Sequence, residues 1–378
     1  MRKQRWLGAS AALVSLMLVL AACQGASPSP SAAGESAEES AAESVAPAGF
    51  KACEVTDTGG VDDQGFNQNA YEGLTRAESE LGIDIALLES TADTDYAPNL
   101  ATFAAQGCDL IITVGFLLGS ATQAAAVLHP EIDYTIVDFA YDAPPPNLKG
   151  LVFDTKSASM LQGYLAAGMS DSGVIGTWGG IQIPPVVDFM NGLVAGVNYY
   201  NEQNGTDVTV LGWDAATQTG SFINNFDDED AGRQLSEGFM QEGADVIFAV
   251  AGPAGRGGMA AVQDNAAGVD PAPMFIGVDV DQFLSVPGFE DIMLSSVLKR
   301  IDNAVFEAIQ ESMGGGFSAD LYVGILANEG VGMAPFHNFE DQVPQALQDE
   351  IAALQAALID GSVTADAFSG QPPASPAP

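Results

Sequence analysis

Short apolar runs alternate along this chain with longer segments in which apolar residues recur at helical spacing. The runs carry apolar side chains on both faces, as do strands that are buried inside a parallel sheet. Helical spacing is clearest over residues 67–81 and 232–242. The predicted strands span residues 52–56, 83–88, 110–114, 134–137, 174–177, 208–211, 246–250 and 274–278. The alternation predicts an α/β fold in which helices cover a parallel sheet.

Two parts of this pattern resemble each other. Residues 107–111 are Gly-Cys-Asp-Leu-Ile and residues 243–247 are Gly-Ala-Asp-Val-Ile, and the same separation pairs Gly119 with Gly255. In each copy a predicted strand runs into a glycine-containing turn and then an alanine-rich helix. One interpretation is the pattern that all α/β units share. The other is a pair of similar lobes with a ligand cleft between them.

The two ends of the chain have a different composition. A basic head at residues 2–5 precedes an apolar run over 6–20 that is too short to span a bilayer comfortably. The run ends in Leu-Ala-Ala-Cys, which resembles a bacterial lipobox and implies cleavage after residue 22 and lipidation of Cys23. A plain signal peptide cut elsewhere is the alternative. We predict a leader over 1–22, a disordered tether over 23–49 and a disordered tail over 366–378, because the tether and tail carry few large apolar side chains.

Charge and composition exclude several classes of protein. The chain has 11 Lys and Arg against 50 Asp and Glu, a net charge of −39. Nucleic-acid binding and polybasic membrane binding both need a basic face, so neither is expected. Two His and three Cys are too few for a zinc-finger framework or a disulfide-dense scaffold.

Three carboxylates follow predicted strands directly. They are Asp57, Asp138 and Asp279. In open parallel sheets ligands bind outside the carboxyl ends of the strands, so these positions suggest a binding site. Each Asp could instead cap the following helix. The loop over residues 57–68 carries glycines and three carboxylates but no Gly-Lys-Ser/Thr, which argues against a phosphate loop.

An enzyme is the competing class of function. Strand-end carboxylates could bind Mg²⁺ and assist phosphoryl transfer. No Asp-x-Asp follows the first predicted strand, however, and no Gly-x-Ser-x-Gly nucleophile turn is present. His129 lies before a proline near a helix end and His337 lies in a late loop, so neither is well placed for a triad. We therefore expect no catalytic residue, no cofactor and no metal.

The most distinctive segments of the folded part are residues 57–68, 71–74, 178–180, 226–228, 243–247 leading to 251–252, 276–282 and 296–300. On these segments, in order, the chain resembles the basic membrane protein family over nearly all of residues 50–365. Members of this family are lipoproteins that act as purine-nucleoside-binding proteins of ABC importers.

The resemblance implies two Rossmann-like lobes joined by a hinge, the type I periplasmic-binding-protein fold, with the ligand in the cleft. Lobe 1 would comprise residues 50–153 and about 281–312, and lobe 2 residues 154–280 and about 313–365. It also implies a monomer held by its lipid on the extracytoplasmic face of the cell membrane. The implied partners are a purine nucleoside and the permease subunits of an ABC transporter.

The resemblance also implies ligand contacts. Two Phe rings would sandwich the base, with Phe66 as the first. Phe226 matches the second. Residues 220–225 are extended before it relative to the family, so Phe222 is the alternative. Gly252 would supply backbone groups, in a turn where Pro253 departs from the family's glycines. Gly65 likewise stands where the family usually has Ser.

Polar contacts follow the same matching. Asp57, Asn67 and Asp138 match residues that contact the nucleoside, and Asp279 and Lys299 match contacts near the sugar. Independently of the family, a pocket with several Asp and one Lys should repel a phosphate and favour a neutral nucleoside. Another small solute, such as a sugar, remains the alternative ligand.

Two cysteines lie at the start of predicted strands. Cys53 begins the first and Cys108 precedes the third, and these strands are usually neighbours in a doubly wound sheet. Outside the cell the pair would meet oxidising conditions, which predicts a disulfide. The alternative is two buried thiols.

Overall fold

Two six-stranded sheets organise residues 49–370, the part of the chain that the computed structural model describes. In chain order the strands are β1 (Lys51–Val55), β2 (Asp84–Leu88), β3 (Leu110–Val114), β4 (Asp133–Val137), β5 (Leu148–Phe153), β6 (Val174–Gly179), β7 (Thr209–Leu211), β8 (Trp213–Asp214), β9 (Thr219–Gly220), β10 (Val246–Val250), β11 (Met274–Gly277), β12 (Met293–Lys299), β13 (Tyr322–Gly324) and β14 (Val331–Met333). The α-helices are α1 (Phe66–Leu81), α2 (Tyr96–Ala105), α3 (Gly119–Leu128), α4 (Thr155–Met169), α5 (Pro184–Asn204), α6 (Glu229–Gln241), α7 (Gly255–Ala266), α8 (Gln282–Ser285), α9 (Ile301–Met313), α10 (Gln345–Asp360) and α11 (Ala365–Phe368).

The two sheets have the same strand order. The sheet of lobe 1 runs β13-β5-β4-β3-β1-β2 and the sheet of lobe 2 runs β14-β12-β11-β10-β6-β7. Pairing is parallel throughout both sheets except that β14 is antiparallel to β12. The predicted α/β fold with two similar lobes is therefore confirmed. The sequence repeat corresponds to β3 with α3 in lobe 1 and β10 with α7 in lobe 2.

The chain passes between the lobes three times. It leaves lobe 1 after Phe153, returns after Lys299 and leaves again after Gly324. The return predicted near Asp281 is too early, because α8 leads back into the same sheet and β12 then pairs with β11. The departure predicted near Met313 is also too early, since β13 still joins β5 in lobe 1.

Buried strands form the core of each lobe. All residues of β3 and of β10 are buried, which explains their unbroken apolar sequence. A disulfide joins Cys53 in β1 to Cys108, which precedes the neighbouring strand β3, with a Cα–Cα distance of 6.1 Å.

The limits of the described residues decide which terminal predictions can be compared with the structure. The leader, Cys23 and nearly all of the predicted tether lie outside the described residues, as do residues 371–378. The predicted tail begins too early, because residues 365–368 form α11. There Asp366 pairs with Lys156 at 2.8 Å and the Phe368 ring packs edge-on against Tyr199. Between residues 49 and 370, no helix is long and apolar enough to cross a bilayer.

Candidate functional site

A cavity lies between the lobes at the carboxyl ends of the central strands. Its empty space is about 640 Å³ when the solvent at its mouth is counted, a size suited to a small molecule. The cavity is lined by every residue that the family resemblance assigns to the ligand: Asp57, Phe66, Asn67, Asp138, Phe226, Gly252, Asp279 and Lys299. The structure thus brings together residues that are far apart in sequence. Their contact with a ligand stays a prediction.

A hydrogen-bond network fixes Asp57 on the lobe 1 side. Its Oδ1 accepts from the backbone N–H of Gly59 at 3.0 Å and from Asn67 Nδ2 at 2.8 Å. Gly115 lies opposite with a φ of +118°, and a Cβ there would come within 2.8 Å of Asp57 Oδ2. Glycine is therefore needed at this turn both for the backbone conformation and for the space that the carboxylate fills.

Asp63 organises the start of α1. Its carboxylate accepts backbone N–H bonds from Gly65, Asn67 and Gln68 at 2.7 to 3.0 Å. A side-chain bond from Asn67 Nδ2 at 3.2 Å adds to these. A negative charge is favourable at a helix N-terminus, where the first N–H groups have no helical partner. Asp63 therefore orients the turn that carries Phe66 and Asn67, a role that the sequence analysis did not assign.

Two aspartates occupy equivalent positions in the lobes. Asp138 follows β4 and Asp279 lies just beyond β11, and both have a φ of +69°. This left-handed conformation is uncommon for residues other than glycine, although Asp and Asn adopt it more readily than most. Lys299 lies between them, with Nζ 2.6 Å from Asp138 Oδ2 and 3.9 Å from Asp279 Oδ1.

Aromatic rings surround the same ammonium group. Lys299 Nζ lies 4.7 Å from the ring centroid of Phe66, 5.4 Å from that of Phe153 and 5.8 Å from that of Phe189. Cation–π attraction strengthens when the cation is desolvated, and the Lys299 residue is only 1% exposed. Lys299 ends β12 immediately before the chain returns to lobe 1, so this ion pair also ties the lobes together at a crossing.

Burial changes the protonation of two cavity carboxyls. Desolvation raises the pKa of Asp57 to about 6, against hydrogen bonds from Gly59 and Asn67 that lower it. Desolvation likewise raises the pKa of Asp279 to about 6, against the attraction of Lys299. Both groups therefore change charge in a mildly acidic range.

The two predicted stacking rings come from different lobes. Phe66 begins α1 in lobe 1, and Phe226 lies before α6 in lobe 2; both are half-buried and line the cavity. A Cβ at Gly180 would come within 2.3 Å of the Phe226 ring, so the glycine makes room for it. Phe222 instead packs edge-on against Trp213, and it is not among the residues that line the cavity.

An apolar wall completes the cavity on the lobe 2 side. Ile183, Pro185, Val186 and Phe189 line it at the start of α5. Nothing in the sequence distinguishes these residues from ordinary core, because an apolar turn that opens a helix has the same pattern. The available signal was Pro at the first turn of a helix, which fixes where α5 begins. Among residues 49–370, no group of three or more His, Cys, Asp or Glu is arranged to hold a metal ion.

Comparison with known proteins identifies the family. The family described as PnrA-like ABC transporter substrate-binding proteins, Bmp, matches residues 50–359. The chain belongs to this family. Basic membrane protein A of Borreliella burgdorferi is 31% identical over 249 residues, which are 65% of this chain and 68% of that protein. An uncharacterised lipoprotein of Pyrococcus abyssi is 30% identical over 281 residues, 73% of this chain and 67% of its own length.

Solved structures agree with this Bmp membership. An ABC transporter solute-binding protein of Aeropyrum pernix is 26% identical with a TM-score of 0.76, and the match covers 83% of this chain and 92% of that one. A solute-binding protein of Conexibacter woesei shares the fold at 22% identity, a TM-score of 0.65 and coverage of 83% and 98%. The family resemblance seen in the sequence is confirmed, and the chain is a substrate-binding protein of the ABC transporter class.

Proposed function

We propose that this Bmp-family protein captures a purine nucleoside between its lobes and delivers it to the permease subunits of an ABC importer. The observation that carries the proposal is the pair of half-buried rings, Phe66 from lobe 1 and Phe226 from lobe 2, in one cavity with strand-end carboxylates. Aromatic faces stack on any nucleobase, and carboxylates accept hydrogen bonds from sugar hydroxyls and base N–H groups.

The charges of the cavity favour a neutral ligand. Asp57, Asp63, Asp138 and Asp279 line it, and Lys299 is the one cation among the described residues that do so. Lys299 is already engaged by Asp138 at 2.6 Å. A nucleotide phosphate would meet this carboxylate-rich lining without a free countercharge, so the site discriminates against it.

Closure of the lobes would follow from the position of the rings. A base held between Phe66 and Phe226 contacts both lobes at once, so the closed state gains contacts that the open state lacks. A ligand shifts such an equilibrium by its difference in affinity for the two states. The protein would act as a monomer, anchored by a lipid on Cys23 at the extracytoplasmic face of the membrane.

Calorimetry with inosine tests the proposal. Base–aromatic stacking is worth roughly 1–3 kcal/mol per base, so Phe226→Ala should weaken inosine binding about 5- to 150-fold. Phe222→Ala is the matched control, since Phe222 packs against Trp213 away from the cavity lining. Equal binding by wild type and Phe226→Ala would remove the stacking role.

Fragments of the nucleoside separate the remaining ligand classes. Asp279→Asn should weaken inosine more than hypoxanthine if Asp279 contacts the sugar. Tight binding of ribose with no preference for inosine would favour the sugar-binding alternative, because hydroxyls alone would then satisfy the carboxylates. Hydrolysis of inosine during the titration would instead indicate an enzyme.

A further inference from the structure

Two hydrogen bonds cross from one lobe to the other at Gln64. In lobe 1, the Gln64 backbone carbonyl accepts from Ser285 Oγ of α8 at 2.9 Å. The Gln64 side-chain Oε1 accepts from an Arg256 guanidinium nitrogen of α7 at 3.3 Å. Ser285 and Arg256 both belong to lobe 2. None of the three residues is among those that line the cavity, so these contacts are separate from the proposed ligand contacts.

The backbone at Gln64 is unusual for its residue type. Its φ is +57°, in the left-handed region that favours glycine. Uncommon conformations of this kind persist where the surrounding structure over-determines them, and they cluster at clamps and switch regions. Glycine would fit this turn with less strain but would lack the side chain that reaches Arg256.

The partner in lobe 2 is already oriented. Arg256 binds Glu229 of α6, with Nε and a terminal nitrogen 2.9 and 2.8 Å from the same carboxylate oxygen. The guanidinium therefore loses little additional freedom when it meets Gln64. On the lobe 1 side, Gln64 lies between Asp63, which anchors the loop, and the turn that carries Phe66.

We propose that Gln64 is a latch that holds the two lobes closed through Ser285 and Arg256, independently of contacts to the ligand. Two consequences follow. Part of the closed population exists before any solute binds, and a bound solute leaves more slowly than its own contacts would dictate. The inference rests on the lobe closure of the proposed function but not on the identity of the solute.

Gln64→Gly isolates the latch, because glycine adopts the left-handed conformation and keeps the carbonyl but loses the bond to Arg256. Ser285→Ala removes the other bond. Gln218→Gly is the matched control: Gln218 is also a left-handed glutamine, with φ +54°, and its side chain bonds only within lobe 2, to Asn191 and Ala215. Fluorophores introduced as unnatural amino acids at Val127 and Gln241, exposed helix positions of lobe 1 and lobe 2, report the distance between the lobes.

Each latch variant should lower the ratio of closed to open molecules in the ligand-free chain about 2- to 10-fold, the effect of one hydrogen bond. Inosine release should accelerate by a similar factor, while the thermal midpoint of Gln64→Gly stays within the range of surface substitutions. Lobe distances and release rates equal to those of Gln218→Gly would overturn the latch. So would a fall in thermal midpoint with unchanged lobe distances. If inosine does not bind at all, the proposed nucleoside function fails, and the lobe distances still decide the latch.

Discussion

The two lobes share one strand order but line the cavity with different chemistry. Lobe 1 offers a network of side chains, in which Asp57 and Asp63 are both bonded to Asn67. Lobe 2 offers mainly apolar surface, with Phe226 and the first turn of α5. The shared topology thus determines where a site lies, at the carboxyl ends of the strands. The residues at those ends determine the chemistry that each lobe contributes. Lobe 1 supplies most of the oriented polar groups, and lobe 2 supplies most of the apolar surface together with Asp279 and Lys299.

We expect the largest effect from substituting Lys299. This residue of lobe 2 supplies the positive charge opposite carboxylates of both lobes, Asp138 and Asp279. Lys299→Met would leave Asp138 and Asp279 buried without a cation. Removing one partner of a buried ion pair costs about 3–5 kcal/mol of unfolding free energy. We expect that loss at pH 7 in urea unfolding. The loss should be smaller at pH 5, because burial raises the pKa of Asp279 to about 6 and its protonation then relieves the repulsion between the two carboxyls.

Lys51→Met is the control for this variant. The Lys51 ammonium group donates to Gln106 at an exposed site, so the change should stay within about 0.5 kcal/mol. Equal effects of the two substitutions, or a Lys299→Met loss that is the same at both pH values, would contradict the countercharge role.

We expect the disulfide to stabilise lobe 1 without an equivalent contribution in lobe 2. The equivalent of the Cys53–Cys108 pair in lobe 2 is Gly176 with Ala244, so only lobe 1 has a crosslink at this place. The crosslinked cysteines are 55 residues apart, and removing such a bond costs about 2–4 kcal/mol. Hydrogen exchange of the double Ala variant should show the loss in the amides of β1 and β3. Loss of protection in β6 and β10 to the same extent would mean that the lobes unfold as one unit.

The pH dependence of inosine binding tests the contribution of Asp57 in lobe 1 and that of Asp279 in lobe 2. The pKa of Asp57 and that of Asp279 are both raised to about 6, chiefly by burial. If both accept hydrogen bonds as anions, inosine affinity should rise between pH 5 and 7, by up to about tenfold for each carboxylate. Asp57→Asn should remove the share of lobe 1 and Asp279→Asn that of lobe 2. A flat pH profile for the wild type would exclude both as anionic acceptors.

Glu54 gives the smallest expected effect. It lies in β1 with both carboxyl oxygens buried and unpartnered, and Thr177 occupies the equivalent place in β6. Desolvation, then the charge of Asp63, raises the Glu54 pKa well above 4.5. The folded protein therefore binds the Glu54 proton more tightly than the unfolded chain does. Stability falls as the pH rises from the ordinary pKa of 4.5 through the raised pKa of the folded state.

Glu54→Gln should remove this part of the pH dependence. The variant should be about 1 kcal/mol more stable than wild type at pH 7 and show no gain at pH 4, as measured by urea unfolding. A destabilised variant at pH 7 would mean that the Glu54 carboxylate is ionised and satisfied in the fold.

The sequence predicted those strands and helices whose pattern of apolar residues is visible within the element itself. Buried strands such as β3 and β10 are continuous apolar runs, and α1 begins one residue from its predicted start. The first crossing, after Phe153, was predicted correctly, but the second and third were misplaced because they depend on which sheet receives β12 and β13. Nothing local distinguishes the two sheets, since pairing partners are distant in sequence. Tertiary contacts decided that choice.

The cavity lining was predictable where strand ends and family segments named a residue, as for Asp138 and Asp279. It was not predictable where a role depends on three-dimensional neighbours. The sequence left Phe222 and Phe226 open, and the room beside Gly180 places the Phe226 ring at the cavity. The role of Asp63 was not predicted, because an acidic residue before a helix has an ordinary structural role. Its effect on Asn67 emerges only from the hydrogen bonds.

Because the chain crosses between the lobes three times, the last elements of lobe 1 are synthesised after much of lobe 2. Helix α9 packs on α1 so closely that a Cβ at Gly73 would come within 2.5 Å of the Asp302 carbonyl, and β13 closes the edge of the lobe 1 sheet. During synthesis the ribosome makes residues 154–299 of lobe 2 before it reaches either element. Until residues 301–313 and 322–324 have been made, lobe 1 therefore lacks the helix that covers one face of α1 and the strand that closes the edge of its sheet.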